Sequence, residues 1–182
     1  MKKFFFALTI TIGLAACREA EKGSNGVTYK SPVQYNDYIV GRQATLMKNI
    51  IAFGKMAQIN PDSAGKMLDI YAGETTNFIT EIKGMPPYKG DSSLRDAAIN
   101  TFIFYKKVFE DDYRQILQIN KEGENMTEQS AAKLKGIVED LSKEEEKFDK
   151  AFHNAQVDFA QRNKMKLIDN EMQKKVDEMK KE

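Results

Sequence analysis

Residues 127–160 read TEQSAAKLKGIVEDLSKEEEKFDKAFHNAQVDFA. Leu134, Ile137, Leu141, Phe148, Phe152, Ala155 and Phe159 recur there at steps of three, four or seven, which gathers them on one face of an α-helix. Thr127 precedes the run and offers a hydroxyl to the free amides of a first turn. A long helix with one apolar stripe needs other helices to cover that stripe.

The chain supplies them upstream. Ser31-Pro32 is a helix start, because the hydroxyl caps free amides and proline suits the first helical position. Tyr35, Ile39, Leu46, Ile50, Phe53 and Ala57 then share a face. Asn60-Pro61 repeats the cap and opens a second stripe with Ala64, Met67, Leu68, Tyr71, Thr75, Phe78, Ile79 and Ile82, which Gly84 and Pro86-Pro87 end. A third start at Asp91 leads into Leu94, Ala98, Thr101, Tyr105, Val108, Phe109, Ile116 and Ile119, with Gly123 in the following break. No segment alternates with period two for long enough to be a strand, and no repeat of fixed period is present.

The predicted fold is therefore all-α: an up-down-up-down four-helix bundle over residues 31–160, its helices joined by loops of about five to seven residues. An even number of helices brings both chain ends to one side and points the loops at Lys55–Pro61 and Lys121–Met126 the other way. Past Phe159 the stripe changes phase: Arg162, Lys166 and Asp169 stand at the next core positions, and Met165, Ile168, Met172, Val176 and Met179 form a new one. Residues 161–182 are expected as a charged amphipathic helical extension, with a bend near 161–164 or a stripe turned elsewhere.

The 182 residues suit one domain. Lys and Arg number 28 against 27 Asp and Glu, and loss of Lys2 and Lys3 would leave 26 against 27, a balance that argues against a nucleic-acid partner. With 41% hydrophobic and 30% charged residues, the chain is too apolar for wholesale disorder.

Lys2 and Lys3 precede an uncharged apolar run, Phe4 to Leu14, which is too short to span a bilayer and reads as a secretion leader over residues 1–16. It ends in Leu14-Ala15-Ala16-Cys17, and Cys17 is the only cysteine. This tetrapeptide resembles the lipobox of bacterial lipoproteins. The resemblance implies cleavage between Ala16 and Cys17, lipidation of Cys17 with palmitate or similar chains, and a membrane partner reached through that lipid. The rival reading is an ordinary cleaved leader with an incidental cysteine. Arg18, where an aspartate would retain a lipoprotein in the inner membrane, favours the outer membrane by the same resemblance. Residues 17–30, rich in Gly, Ser, Asn and charge, are expected as a flexible tether reaching up to about 45 Å.

Tyr35-Asn36-Asp37-Tyr38, with Ile39, resembles the first helix of an uncharacterised family of bacterial surface lipoproteins predicted to be helical bundles; this implies an envelope location and no assigned chemistry. His153 is the only histidine and lacks a base partner, and Lys150 occupies the place where a Glu-x-x-His metal pair needs its carboxylate. Met47 and His153 are the one Met/His pair weighed as haem ligands, roughly level on the first and fourth helices, with no Cys-x-x-Cys-His for covalent attachment. Glu110-Asp111-Asp112 and Glu144-Glu145-Glu146 lack the glycine-bent loop of a calcium site and read as solvated faces, Glu145 reaching outward or pairing with a lysine. No Walker loop, dinucleotide fingerprint, nucleophile elbow or His-Glu-x-x-His is present. The expected function is a non-enzymatic binding or spacer module of the cell envelope, without cofactor or metal, meeting another envelope or extracellular protein. The alternative is a small-ligand or haem carrier using the bundle interior.

Overall fold

A computed structural model describes residues 9–12 and 20–169. Along the chain lie β1 (Thr9–Ile12), β2 (Glu21–Lys22), β3 (Thr28–Tyr29), α1 (Pro32–Ile59), α2 (Pro61–Lys83), α3 (Ser93–Lys107), a π-helical turn (Val108–Asp112), α4 (Tyr113–Asn120), α5 (Glu128–Arg162) and β4 (Lys166–Asp169). The fold is all-α, with short strands only at its margins.

Three side-chain caps set the helix starts. Ser31 Oγ accepts from Gln34 N at 3.2 Å, Asn60 Oδ1 from Ser63 N at 2.9 Å and Thr127 Oγ1 from Ser130 N at 3.0 Å. Asn60 also donates its backbone N–H to Met56 O, so one residue ends α1 and starts α2. The expected loop of five to seven residues at this joint is absent, because Asn60-Pro61 does both jobs at once.

α1 with α2, α2 with α3 and α3 with α5 make contacts whose residue numbers run in opposite directions. Arg42 meets Glu81 at 2.6 Å and Asn49 meets Glu74 at 2.6 Å across α1 and α2. Phe78 lies against Phe102, and Tyr71 against Phe109, between α2 and α3. Arg162 reaches Asp91 at 2.8 Å at one end of the α3–α5 contact, while Phe104 stacks on Phe148 at 4.9 Å further along. The buried core includes Tyr35, Ile39, Leu46, Leu68, Ile82 and Phe102.

Four local expectations are corrected. Residues 20–30 are not a free tether: β2 and β3 pair antiparallel, and Asn25 secures them to the end of α2. Its Nδ2 donates to Tyr29 Oη at 2.7 Å and to Glu81 O at 2.9 Å, its N to Gly84 O at 3.3 Å, and Tyr29 is 1% exposed. Two-residue strands show no period that a sequence reading would detect.

The third helix, secondly, is interrupted. The π turn inserts a residue, so the buried positions beyond it are Leu117 and Ile119, where Ile116 and Ile119 were expected. Tyr113 stacks on Phe53 at 4.6 Å as a result.

Third, the α5 stripe is uneven. Phe152 and Phe159 are buried, but Leu134, Ile137 and Leu141 are only half-buried, and Ile137 and Leu141 line an open cleft beside Lys107 and Asp112.

Finally, residues 163–169 do not continue as a helix. Lys164 takes φ 54°, Met165 N donates to Ala160 O at 2.8 Å and Lys164 N to Gln161 O at 3.2 Å, which is a Schellman cap with lysine in the left-handed position. Met165 folds back on the core, and β4 leads away to pair antiparallel with β1, Thr9 opposite Asp169, while β1 also lies against α1. Of the two readings of the phase shift, the bend is the one seen. Residues 170–182 of the expected tail lie outside the described residues. Lys164→Gly is expected to raise stability by about 1 kcal/mol, because glycine carries no Cβ penalty at positive φ; urea unfolding of the pair of proteins reads the difference.

Candidate functional site

Cys17, Ala16 and most of the expected leader lie outside the described residues; the described part of that leader, Thr9–Ile12, is β1. Glu21 is the first residue of the docked hairpin, which leaves only residues 18–20 between Cys17 and the folded body. The hairpin sits where α1 begins, α2 ends, α3 begins and α5 ends. Five aromatic rings close that end. Tyr35 is fully buried, with its ring 5.2 Å from Tyr29, 5.1 Å from Tyr88 and 5.5 Å from Phe159, and its hydroxyl donates to Pro86 O at 2.8 Å. Tyr38 packs edge-on to Tyr29 and carries Arg42 over its other face, 3.4 Å from the ring centre. Burial pushes the Tyr29 hydroxyl up to about 12, so it stays neutral as Asn25's acceptor. The Tyr35-Asn36-Asp37-Tyr38 string thus builds the wall against which the hairpin docks.

A second feature runs through the interior. α1 contributes Asn36 and Gln43, seven residues apart on one face; α5 contributes Glu145, Asp149, His153 and Gln156; α3 contributes Tyr105. Gln156 Nε2 donates to Asn36 Oδ1 at 2.8 Å, and both side chains are fully buried. Tyr105 Oη donates to Glu145 Oε1 at 2.8 Å, so Glu145 pairs with a tyrosine, where a lysine or the solvent was expected. Burial, helped by the Asp149 and Glu145 charges, raises the Tyr105 hydroxyl well above its ordinary range and keeps it a donor. Gln43 Oε1, Gln156 Oε1 and His153 Nδ1 are buried without a hydrogen-bond partner. Native proteins leave few such atoms, and their clustering in one seam marks it.

The seam places the weighed haem pair. With Asn36 opposite Gln156 on antiparallel helices, His153 lies opposite residues 39–40, and Met47 stands about 11 Å further along the axis. The two do not share a level, and one iron does not reach both. Gln156 and Asp149 went unread as interior positions because a polar residue on a helix normally faces water. The available signal was their spacing: 149, 152, 156 and 159 repeat the core step.

Gln156→Leu is expected to cost about 2 kcal/mol, since Asn36 is left buried without its donor, whereas the double variant with Asn36→Leu returns close to the parent. Denaturant midpoints of the three proteins decide it; an additive double variant would mean that the pair does not interact.

The acid runs meet at the π turn. Lys107 lies 3.9 Å from Asp112 and 3.6 Å from Glu144, over a cleft of about 260 Å³ that Ile137, Asp140 and Leu141 also line. Burial raises the Asp112 carboxyl, with Lys107 opposing the shift. Among the described residues no group of three or more His, Cys, Asp or Glu converges as metal ligands would.

Compared with known proteins, the chain matches no family model, no curated protein and no solved structure. No helix among the described residues is long and apolar enough to cross a membrane.

Proposed function

We propose that this chain is a lipid-anchored protein of the bacterial cell envelope, held in the outer membrane through Cys17, whose helices form an up-down-up-down bundle acting as a non-enzymatic binding or spacer module. The observation that carries the reading is Leu14-Ala15-Ala16-Cys17 behind a basic and then apolar leader, with the chain's sole cysteine at the one position where acylation requires it. Sequential antiparallel contacts and short joints support the bundle topology. Acyl chains on one residue hold a protein by burying methylenes, each worth about 0.8 kcal/mol, so no membrane-spanning helix is required.

Expressed in a bacterial host, the parent protein is expected in the membrane fraction with an intact mass that shows the leader lost and acyl chains gained. Cys17→Ser is expected to remain unprocessed and unacylated. An unmodified Cys17 in the mature parent would overturn the reading.

A donor-rich small ligand held in the interior is the second reading. Gln43 Oε1 and Gln156 Oε1, buried acceptors without hydrogen-bond partners, favour it.

A further inference from the structure

We infer that the end of the molecule carrying the β2–β3 hairpin is a docking face for an anionic lipid bilayer, so that the body sits directly on the membrane surface and does not swing from a long leash. The inference rests on Cys17 being the lipid anchor. Its first support is reach. From Cys17 to docked Glu21 there are four residue steps, which span at most about 14 Å even when fully extended. The hairpin cannot release more chain without breaking the Asn25 bonds to Tyr29, Glu81 and Gly84. That distance is less than two screening lengths of about 8 Å at physiological salt, so charges on this end feel part of the charge of the surface.

The second support is charge. Lys22, Lys30, Lys83, Lys89 and Lys164 are all exposed, and the topology gathers them at this end from the hairpin, the α2–α3 connection and the exit of α5. Direct bonds tie the three segments together: Lys89 Nζ donates to Asn163 Oδ1 at 2.6 Å, and Asn25 joins the hairpin to α2. Of the neighbouring acids, Glu81 pairs with Arg42, Asp96 with Arg95 and Asp91 with Arg162, and Glu21 and Asp37 also stand at this end, outnumbered by the lysines. Lys22, Lys30, Lys83 and Lys164 make no ion pair among the described residues, so their charge projects outward. The opposite end is not basic: Lys121 pairs with Asp62, and Glu122, Glu124 and Glu128 stand beside it. A basic face on the anchored side and none on the far side is the arrangement that seats a body on phosphate-rich headgroups, with an attraction equivalent to about fivefold in binding per well-placed lysine.

The test reconstitutes the acylated mature protein into vesicles of phosphatidylcholine alone or with 30 mol% phosphatidylglycerol, and measures how fast an amine-reactive acetylating reagent labels each lysine by mass spectrometry. With phosphatidylglycerol, labelling of Lys22, Lys30, Lys83 and Lys164 is expected to slow at least threefold while Lys121 and Lys133 keep their rates, and 0.5 M salt is expected to erase the difference. A variant with twelve Gly and Ser residues inserted between Arg18 and Glu19 is expected to lose protection on phosphatidylcholine and keep it on phosphatidylglycerol. Equal labelling at both ends on both vesicles overturns the docking face; protection indifferent to phosphatidylglycerol and salt overturns the charge mechanism. Failure of the anchor reading is seen separately, as an intact mass without acyl chains. In that case the unacylated protein is added to the same vesicles, and the absence of phosphatidylglycerol-dependent protection overturns the face on its own.

Discussion

Replacing Tyr35 by alanine is expected to destabilise the protein by about 4 kcal/mol, measured as the free energy of urea unfolding. Tyr35 is 0% exposed and lies in ring contact with Tyr29 from the hairpin, Tyr88 from the α2–α3 connection and Phe159 from α5. Truncation therefore leaves a cavity bordered by three elements, none of which can close it without giving up its other contacts. Tyr35→Phe keeps the ring and removes only the donor to Pro86 O, so it is expected to cost about 1 kcal/mol. The difference between the two variants separates ring packing from the hydroxyl. An alanine variant within about 1 kcal/mol of the parent would mean that the hairpin end is not a packed part of the fold.

Inserting an alanine between Asp112 and Tyr113 is expected to be the more damaging change, because the π turn already absorbs one extra residue. Each residue of an α-helix turns the chain by about 100°, so a second insertion swings everything after it by that angle. Tyr113 would leave Phe53, and Leu117 would leave the core. The loss is put at more than about 4 kcal/mol, the cost of withdrawing two large side chains. Asp111→Ala, at an exposed position in the same turn, is expected to stay within about 0.5 kcal/mol of the parent. Thermal melts of both variants separate the rotation from the side chain, since an insertion variant with the parent's midpoint would show that α4 needs no fixed rotation.

Both predictions concern features that a linear reading passes over. Ile116 and Ile119 continue the arithmetic of an unbroken third helix, and nothing in Val108-Phe109-Glu110-Asp111-Asp112 marks an inserted turn. The insertion is favoured by where Phe53 and the core lie, and those positions belong to other helices. The residues 20–30 read as a leash because Gly, Ser and Asn are common in turns. Asn25 makes them a docked hairpin by bonding to α2, 56 residues further along the chain. The interior seam escaped for a related reason. Asn36 and Gln156 are each poor core residues alone, and they become tolerable only as a pair separated by 120 positions.

What residue order determined by itself is the local part. Ser31, Asn60 and Thr127 cap the helices they were read to cap, and stripes at the helical period place Tyr35, Ile39, Leu46, Leu68, Phe152 and Phe159 inside. Caps and stripes act over one or two turns, so they are written within a few consecutive residues. Tertiary structure alone decided the π turn, the docking of the hairpin, the reversal at Lys164 and the polar seam. Each of these is stabilised by partners far away in the chain, and such partners have no position relative to one another until the helices have packed.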